Sequence, residues 1–376
     1  MPVLLQNYKR LFENDEEVYA IYNNGIRVWP VGDIGPEPPD YTEPFYVENI
    51  SNTTETLSIK KYSTYAPTLN IEYSTDKSTW QSLGTTSTTA LTKTLAPGDK
   101  LYLKCSTNAW SLSSSNNYNS MSGVSKVGGN IMSLLYGDNF DEETSFPSGS
   151  TYNFYNFFRN NTILVDASKI LLPATTLSTM CYTNMFYGCT SLTSAPELSA
   201  TTLISACYDS MFRGCTSLTS APELPATTLA DSCYYDMFTG CTSLTSAPEL
   251  PATTLASSCY NSMFRGCTSL TSAPELPATT LASSCYTNMF YGCTSLTSAP
   301  ELPATTLISV CYLAMFYGCT SLSNVTCLAT SGINTNASTI IWLDNVSSTG
   351  TFYKAKGVTW PTGTGGIPTG WTVEEV

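Results

Sequence analysis

Residues 181–206 read CYTNMFYGCTSLTSAPELSATTLISA, and residues 207–232 read CYDSMFRGCTSLTSAPELPATTLADS, the same phrase with a few letters changed. The step is 26 residues: Cys181, Cys207, Cys233, Cys259, Cys285 and Cys311 each open a copy, and Cys189, Cys215, Cys241, Cys267, Cys293 and Cys319 keep the same interval. Self-similarity at such a period marks an array of units, none of which can bury its apolar side alone, so that each must stack on the next. Within a unit, Cys181, Tyr182, Met185, Phe186 and Cys189 fall at i, i+1, i+4, i+5 and i+8, a spacing that predicts one face of a short helix. Gly188 suits the turn that ends it. Leu192, Leu198 and Leu203 recur one copy on as Leu218, Leu224 and Leu229, and Pro196 between them demands an extended path. Each unit is therefore expected to be one short helix and one extended segment.

An open-ended array exposes a raw apolar cross-section at each end. Before the first copy, Phe157-Phe158-Arg159-Asn160-Asn161-Thr162-Ile163-Leu164 repeats the MFxGCTSL pattern with polar residues in place of Gly and Cys. After the last, Leu322, Val325 and Leu328 continue the spacing, and the Gly-, Pro- and Trp-rich tail from Ser348 is expected to close that end.

The flanks differ in pattern. Glu17 to Tyr22, then Asn23-Asn24-Gly25, then Ile26 to Trp29 reads as a β-hairpin around an Asn-Gly turn, spanning residues 1–30. Residues 31–44, VGDIGPEPPDYTEP, form a stiff linker. Residues 45–125 alternate with period two, as in Leu69, Ile71, Tyr73 and Leu101, Leu103, Cys105, with Trp80 and Trp110 as core or edge aromatics, which predicts a small antiparallel β-sandwich. The array with its leading cap takes residues 126–327 and the closing cap 328–376.

Composition narrows the function. The 376-residue chain has no His, which excludes His-dependent nucleophile pairs, the common zinc sites and the usual general base. A net charge of −13 repels nucleic acid. No run reaches the roughly 18 apolar residues that span a bilayer, and the first 20 residues do not read as a signal peptide. Synthesis and retention in a cytoplasm follow, where thiols stay reduced. The cysteine columns read as buried thiols behaving as small hydrophobes, because Cys181 and Cys189 sit about two helical turns apart and no CxxC pair supplies a metal site. No metal or cofactor is expected.

Between copies, some positions vary. After each Cys-Tyr come Thr183-Asn184, Asp209-Ser210, Tyr235-Asp236, Asn261-Ser262, Thr287-Asn288 and Leu313-Ala314, and before each Gly come Tyr187, Arg213, Thr239, Arg265, Tyr291 and Tyr317. These are expected on the outer face, where variation reflects either recognition or freedom from packing. Glu197, Glu223, Glu249, Glu275 and Glu301 form a uniform column beside Thr193, Thr219, Thr245, Thr271 and Thr297. That column is either a solvated face or a surface for a repeating partner such as a glycan, with or without calcium. Tyr182, Tyr208, Tyr234, Tyr260, Tyr286 and Tyr312 are expected at the core edge with only their hydroxyls wet. The candidate binding surface is accordingly Tyr187, Arg213, Tyr235, Arg265, Tyr291 and Tyr317 with the five glutamates. Tyr19, Tyr22, Arg27 and Trp29 are the candidate docking residues.

The unit CYxxMFxGCTSLTSAPELPATTL, the stretch GNIMSLLYGDNF at Gly129–Phe140 and the ending GTFYKAKGVTWPTGTGGIPTGWTV resemble the BspA-type leucine-rich-repeat proteins of gut Bacteroidales and their bacteriophages. The commoner unit in that family is shorter, so its fine geometry is not carried over. YAIYNNGIRVWP is similar to hairpins at the front of phage tail and virion proteins. The resemblance implies an α+β solenoid of leucine-rich repeats behind the β-sandwich and hairpin, and adhesion rather than catalysis. With no export signal, it implies a virion protein of fibre or decoration type, on head or tail, assembled in the host cytoplasm. Its partners would be other virion proteins through the N-terminus and a host surface or glycan; no nucleic acid and no membrane insertion are implied, and a homo-oligomer is compatible. A purely structural decoration and a bacterial surface adhesin are the alternatives. The glutamates are equivalent exposed copies, unlike the two carboxylates of different environment that glycoside hydrolysis needs.

Overall fold

A computed structural model describes residues 39–105 and 117–376 in full, together with the backbone of three N-terminal strands. The chain divides into two compact units, residues 1–40 and 41–376.

The first unit holds β1 (Tyr8–Glu13), β2 (Glu16–Asn23) and β3 (Ile26–Arg27) in one antiparallel sheet of order β1-β2-β3. The expected hairpin is the β2–β3 pair, with Tyr22 opposite Arg27 and Asn23 opposite Ile26. β1 was not anticipated; it pairs along all of Tyr8–Glu13, with Tyr8 opposite Ile21 and Arg10 opposite Tyr19. A third strand answers the weakness of an isolated two-stranded ribbon. Asn24-Gly25, Trp29 and most of the linker lie outside the described residues.

In the second unit the period-two stretches form the expected strands. β4 (Tyr46–Glu48), β5 (Glu55–Lys61), β6 (Asn70–Ser74), β7 (Gln81–Thr85), β8 (Leu91–Leu95), β9 (Lys100–Cys105) and β10 (Asn119–Ser122) lead to β11 (Lys126–Asn130) and β12 (Asp166–Leu171). One antiparallel sheet runs β10-β5-β8, and a larger mixed sheet runs β12-β11-β4-β9-β6-β7. Ile71 faces Cys105 and Tyr73 faces Leu103 across β6 and β9. Alternate residues Leu57 and Ile59 of β5 enter the same buried cluster as Val47, Leu101 and Leu103. Trp110 lies outside the described residues. The larger sheet does not stop at its edge. β11 pairs in parallel with β12, and Asp166 of β12 bridges Ser194 of the first full repeat. Parallel bridges then link Ser220 to Ser246, Ser246 to Ser272 and Ser298 to Asn324. The last of these opens β13 (Asn324–Cys327), which continues in parallel to β14 (Thr351–Lys354) and β15 (Thr372–Glu375).

The expected helices are absent. Among the described residues, helical structure is confined to α1 (Ser133–Tyr136) and a 3₁₀ turn at Gly137–Asn139, so the molecule is built of repeats, strands and sheets and is not an α+β alternation. In the first copy Met180, Tyr182 and Asn184 have φ of 57°, 57° and 55° and Gly188 has 70°, and in later copies left-handed residues recur every fourth position, as at Ala206, Ser210 and Gly214 with 55°, 55° and 74°. Intervening amides bond locally, Met185 N to Tyr182 O at 3.1 Å and Cys189 N to Phe186 O at 3.1 Å. The others cross to the next copy: Asn184 N to Asp209 O at 2.9 Å, Phe186 N to Met211 O at 2.9 Å, Gly188 N to Arg213 O at 2.8 Å. A helix keeps its donors to itself; this segment spends half of them along the stack, satisfying backbone groups that burial would otherwise orphan. Left-handed residues cost L-amino acids about 1–2 kcal/mol each, least for Asn and Asp, which accounts for Asn184, Asp236 and Asn288 at this position, while Ser210, Ser262 and Ala314 hold the same φ without that help. At Gly214 a Cβ would face the Gly188 Cα at 3.8 Å in a backbone with φ of 74°, so this glycine is set by conformation rather than space.

The five apolar positions are nevertheless those the spacing selected. Cys181, Tyr182, Met185, Phe186 and Cys189 are all fully buried, as are the matching residues of later copies. Phe158, Phe186, Phe212, Phe238, Phe264, Phe290 and Phe316 stack face to face at 5.3–5.7 Å. The tyrosines stack beside them at 5.8–6.1 Å. Phe158 thus belongs to the leading cap, whose Asn160 takes the glycine position with φ of 58°. At the far end Trp342 stacks on Tyr312 at 6.1 Å and Trp360 on Trp342 at 5.4 Å.

The tyrosine column corrects an expectation. These rings are buried whole, hydroxyls included, because the neighbouring copy covers the phenol end as well as the ring. The Tyr182 and Tyr260 hydroxyls have no hydrogen-bond partner, and burial pushes both phenols well above their usual range. Replacing a buried, unsatisfied hydroxyl by hydrogen removes a desolvation cost. Tyr182→Phe and Tyr260→Phe are expected to raise thermal stability by about 1 kcal/mol each, read as a higher melting midpoint; a lower midpoint would show that the hydroxyl has a partner.

Candidate functional site

The stack presents two outer faces and a cleft. The first face is the column before each glycine, where one side chain per turn lies half-buried or exposed: Arg159, Tyr187, Arg213, Thr239, Arg265, Tyr291 and Tyr317. Arg159 lies over the Tyr187 ring at 4.4 Å, Arg213 approaches the same ring at 5.8 Å, and Arg265 covers Tyr291 at 4.7 Å. Tyr291 and Tyr317 stack at 4.8 Å. The alternation of cation and aromatic is a ladder of cation–π contacts. Arg213 and Arg265 are also the sole basic residues between positions 170 and 353, so the array gathers its positive charge on this line.

The variable pair after Cys-Tyr is less accessible than expected. Thr183, Ser210, Asp236, Ser262, Thr287 and Ala314 are buried, because in the alternating backbone these positions turn under the next copy. Asp236 pairs with Arg213 and accepts a hydrogen bond from Thr239 Oγ1 at 3.0 Å. Burial raises the Asp209 carboxyl to about 6, helped by Asp236 and opposed by the Ser210 hydroxyl that donates to it. Tyr235, predicted as part of the surface, is half-buried beside them.

On the second face Glu197, Glu223, Glu249, Glu275 and Glu301 are all exposed. The adjacent threonines are not idle: Thr245 Oγ1 donates to Thr219 O and Thr271 Oγ1 to Thr245 O, each at 3.3 Å, stitching one turn to the one before. Among the described residues no group of three His, Cys, Asp or Glu side chains could hold a metal ion.

The thiols of the array are buried and unbridged. In the second column each S–H donates to a phenylalanine carbonyl of the preceding turn, Cys189 to Phe158, Cys215 to Phe186 and Cys241 to Phe212, all at 3.1 Å. Cysteine thus fills a small apolar slot while capping a carbonyl, which Ala cannot do. Burial pushes Cys181, Cys189 and Cys241 up to about 12, so they are neutral thiols.

The cleft, of about 650 Å³, opens where the array ends and is lined by Glu301, Thr305, Thr326, Leu328, Thr330, Tyr353, Ala355 and Val376. No repeat position points to it, because it forms between turns that no longer follow the 26-residue interval. Of the docking residues, Tyr19 and Tyr22 lie on β2 and Arg27 on β3, while Trp29 lies outside the described residues.

Parallel stacking of near-identical units around columns of Leu, Phe and Tyr defines a leucine-rich-repeat protein. A family model for the BspA-type leucine-rich repeat region matches residues 106–245, 157–274 and 233–349, more than half of the chain, and the chain belongs to that family. No curated protein and no solved structure matches it.

Proposed function

We propose that this chain is a non-enzymatic attachment protein of a bacteriophage particle, docked by its N-terminal strands and presenting its repeats, as a solenoid, to a host surface or its glycans. The observation that carries the reading is the contrast between the two sides of the repeat. The buried Cys, Tyr, Met, Phe, Cys and Leu are the same in all six copies, whereas the outer column changes among Tyr, Arg and Thr. Membership of a repeat family associated with surfaces and adhesion supports it. So does the separation of residues 1–40 as a unit of their own, available for a different partner.

Deleting residues 1–40, the whole of the first unit, is expected to leave a soluble body that still binds host cells but no longer enters particles. Particles that still incorporate the truncated chain would remove the docking role. Full-length protein that fails to bind any host cell would remove the attachment role and leave a structural decoration.

A further inference from the structure

We infer that the cleft at the end of the array is a subsite for a neutral hexopyranose unit of a surface glycan, a reading that rests on the attachment role proposed above. Its position comes from a break in the repeat. Leu302 bridges Cys327, so Glu301 aligns with Thr326; Thr326 pairs with Tyr353 and Tyr353 with Glu374 across β13, β14 and β15. The row that carries glutamate in five successive copies therefore continues as Thr326 and then Tyr353. One aromatic ring is set two strands beyond the terminal carboxylate of an otherwise uniform acidic column, with Thr326 between them, roughly 10 Å away at about 4.8 Å per strand.

The remaining walls fit the same ligand. Leu328 and Ala355 add apolar surface, and Thr305, Thr326 and Thr330 add hydroxyls. Thr330 Oγ1 donates to Thr305 O at 3.1 Å, which fixes one wall to the preceding turn. A pyranose has an apolar C–H face, which a tyrosine ring covers, and a rim of hydroxyls, which donate to a carboxylate in charge-assisted hydrogen bonds. An apolar pocket with a few convergent polar groups, and a volume inside the usual range of roughly 300–1,000 Å³ for ligand sites, is the form such a site takes.

Charge selects among sugars. Glu301 lines the cleft, Glu374 flanks Tyr353, and Lys354 on the same strand is taken by Glu375 at 2.6 Å. With Glu301 and Glu374 against Lys356, which is exposed just past Ala355, a carboxylated or sulfated sugar would meet net negative charge, so the ligand is uncharged. One ring and a few hydrogen bonds correspond to a dissociation constant on the order of 1 mM per site.

Saturation-transfer difference NMR on the full chain suits that affinity. The probes are neutral trisaccharides of glucose, galactose, mannose and N-acetylglucosamine, with trigalacturonic acid as the anionic comparator. At least one neutral probe is expected to receive saturation through its ring C–H protons. The signal is expected to fall at least fivefold in Tyr353→Ala and in Glu301→Gln, and to persist in Tyr353→Phe and in Glu249→Gln, a mid-column control. Should Tyr353→Ala fail to fold, the contrast between Glu301→Gln and Glu249→Gln carries the test. Absence of transfer to every neutral probe, transfer unaffected by Glu301→Gln, or transfer to trigalacturonic acid alone would overturn the subsite. Protein that binds host cells while refusing every sugar sinks the subsite and spares the attachment role; protein that binds a sugar but no cell does the reverse.

Discussion

Raising the pH from 9 to 11 is expected to unfold this protein. Burial pushes the thiols of Cys181, Cys189, Cys233, Cys241, Cys285 and Cys319 from an ordinary value of 9 up to about 12. Burial likewise holds Cys207, Cys215, Cys259, Cys267 and Cys293 well above that value. In the unfolded chain these groups release their protons near pH 9, while the folded chain keeps them. Above pH 9 the unfolded state therefore binds fewer protons, and stability falls as pH rises, by about 1.4 kcal/mol per pH unit for each thiol. The contribution is intact below pH 9 and is lost toward the folded-state values. Net stabilities of domains are about 5–15 kcal/mol, so these eleven thiols acting in the same direction exhaust it within one or two units. The buried tyrosine column, raised for the same reason, adds to the fall. Guanidinium midpoints measured with reductant between pH 7 and 11 would display the collapse. A midpoint unchanged through pH 10 would mean that the thiols are not buried as described.

The second large effect concerns one ring. Phe238 is fully buried between Phe212 at 5.6 Å and Phe264 at 5.7 Å. Its amide donates to Met263 O at 2.9 Å, and its carbonyl accepts from the Cys267 thiol at 3.1 Å. Phe238→Ala opens a cavity that neighbouring copies cannot close, because their rings are held in register by the same ladder. A loss of about 3–5 kcal/mol is expected, against a change within about 0.5 kcal/mol for Glu249→Ala on the exposed face. Chemical denaturation of both variants reads the difference; equal losses would mean that the two sides of the repeat are not buried and exposed as described.

What the sequence revealed follows from what repetition encodes. Copies that agree at Cys, Tyr, Met, Phe, Cys and Leu identify the core without any knowledge of the backbone, and those residues are buried. The backbone is not legible in the same way, because i, i+4, i+8 is shared by a 3.6-residue helix and by turns of period four. A discriminating signal lies in Asn184, Asp236 and Asn288, residue types that tolerate left-handed φ and seldom favour helix interiors. Ser210, Asp236 and Ser262 are buried although variation between copies points to the outer face, while Asn184 and Asn288 stay half-buried. The exposed glutamates were legible because nothing apolar recurs at their position. The cleft was not, since Glu301, Thr326 and Tyr353 are brought together by strand register rather than by a constant interval. β1 escaped notice because Lys9 and Arg10 interrupt any period-two apolar pattern in Tyr8–Glu13.

Stacking in register is most directly tested by double-mutant cycles in the phenylalanine column. Phe212 and Phe238 lie on adjacent turns, while Phe212 and Phe290 are three turns apart. Alanine substitutions in the adjacent pair are expected to couple by about 0.5–1.5 kcal/mol, and those in the distant pair to add within about 0.5 kcal/mol. Additive losses at Phe212 and Phe238, or coupling between Phe212 and Phe290 as strong as between neighbours, would contradict a stack in which each copy touches only the next.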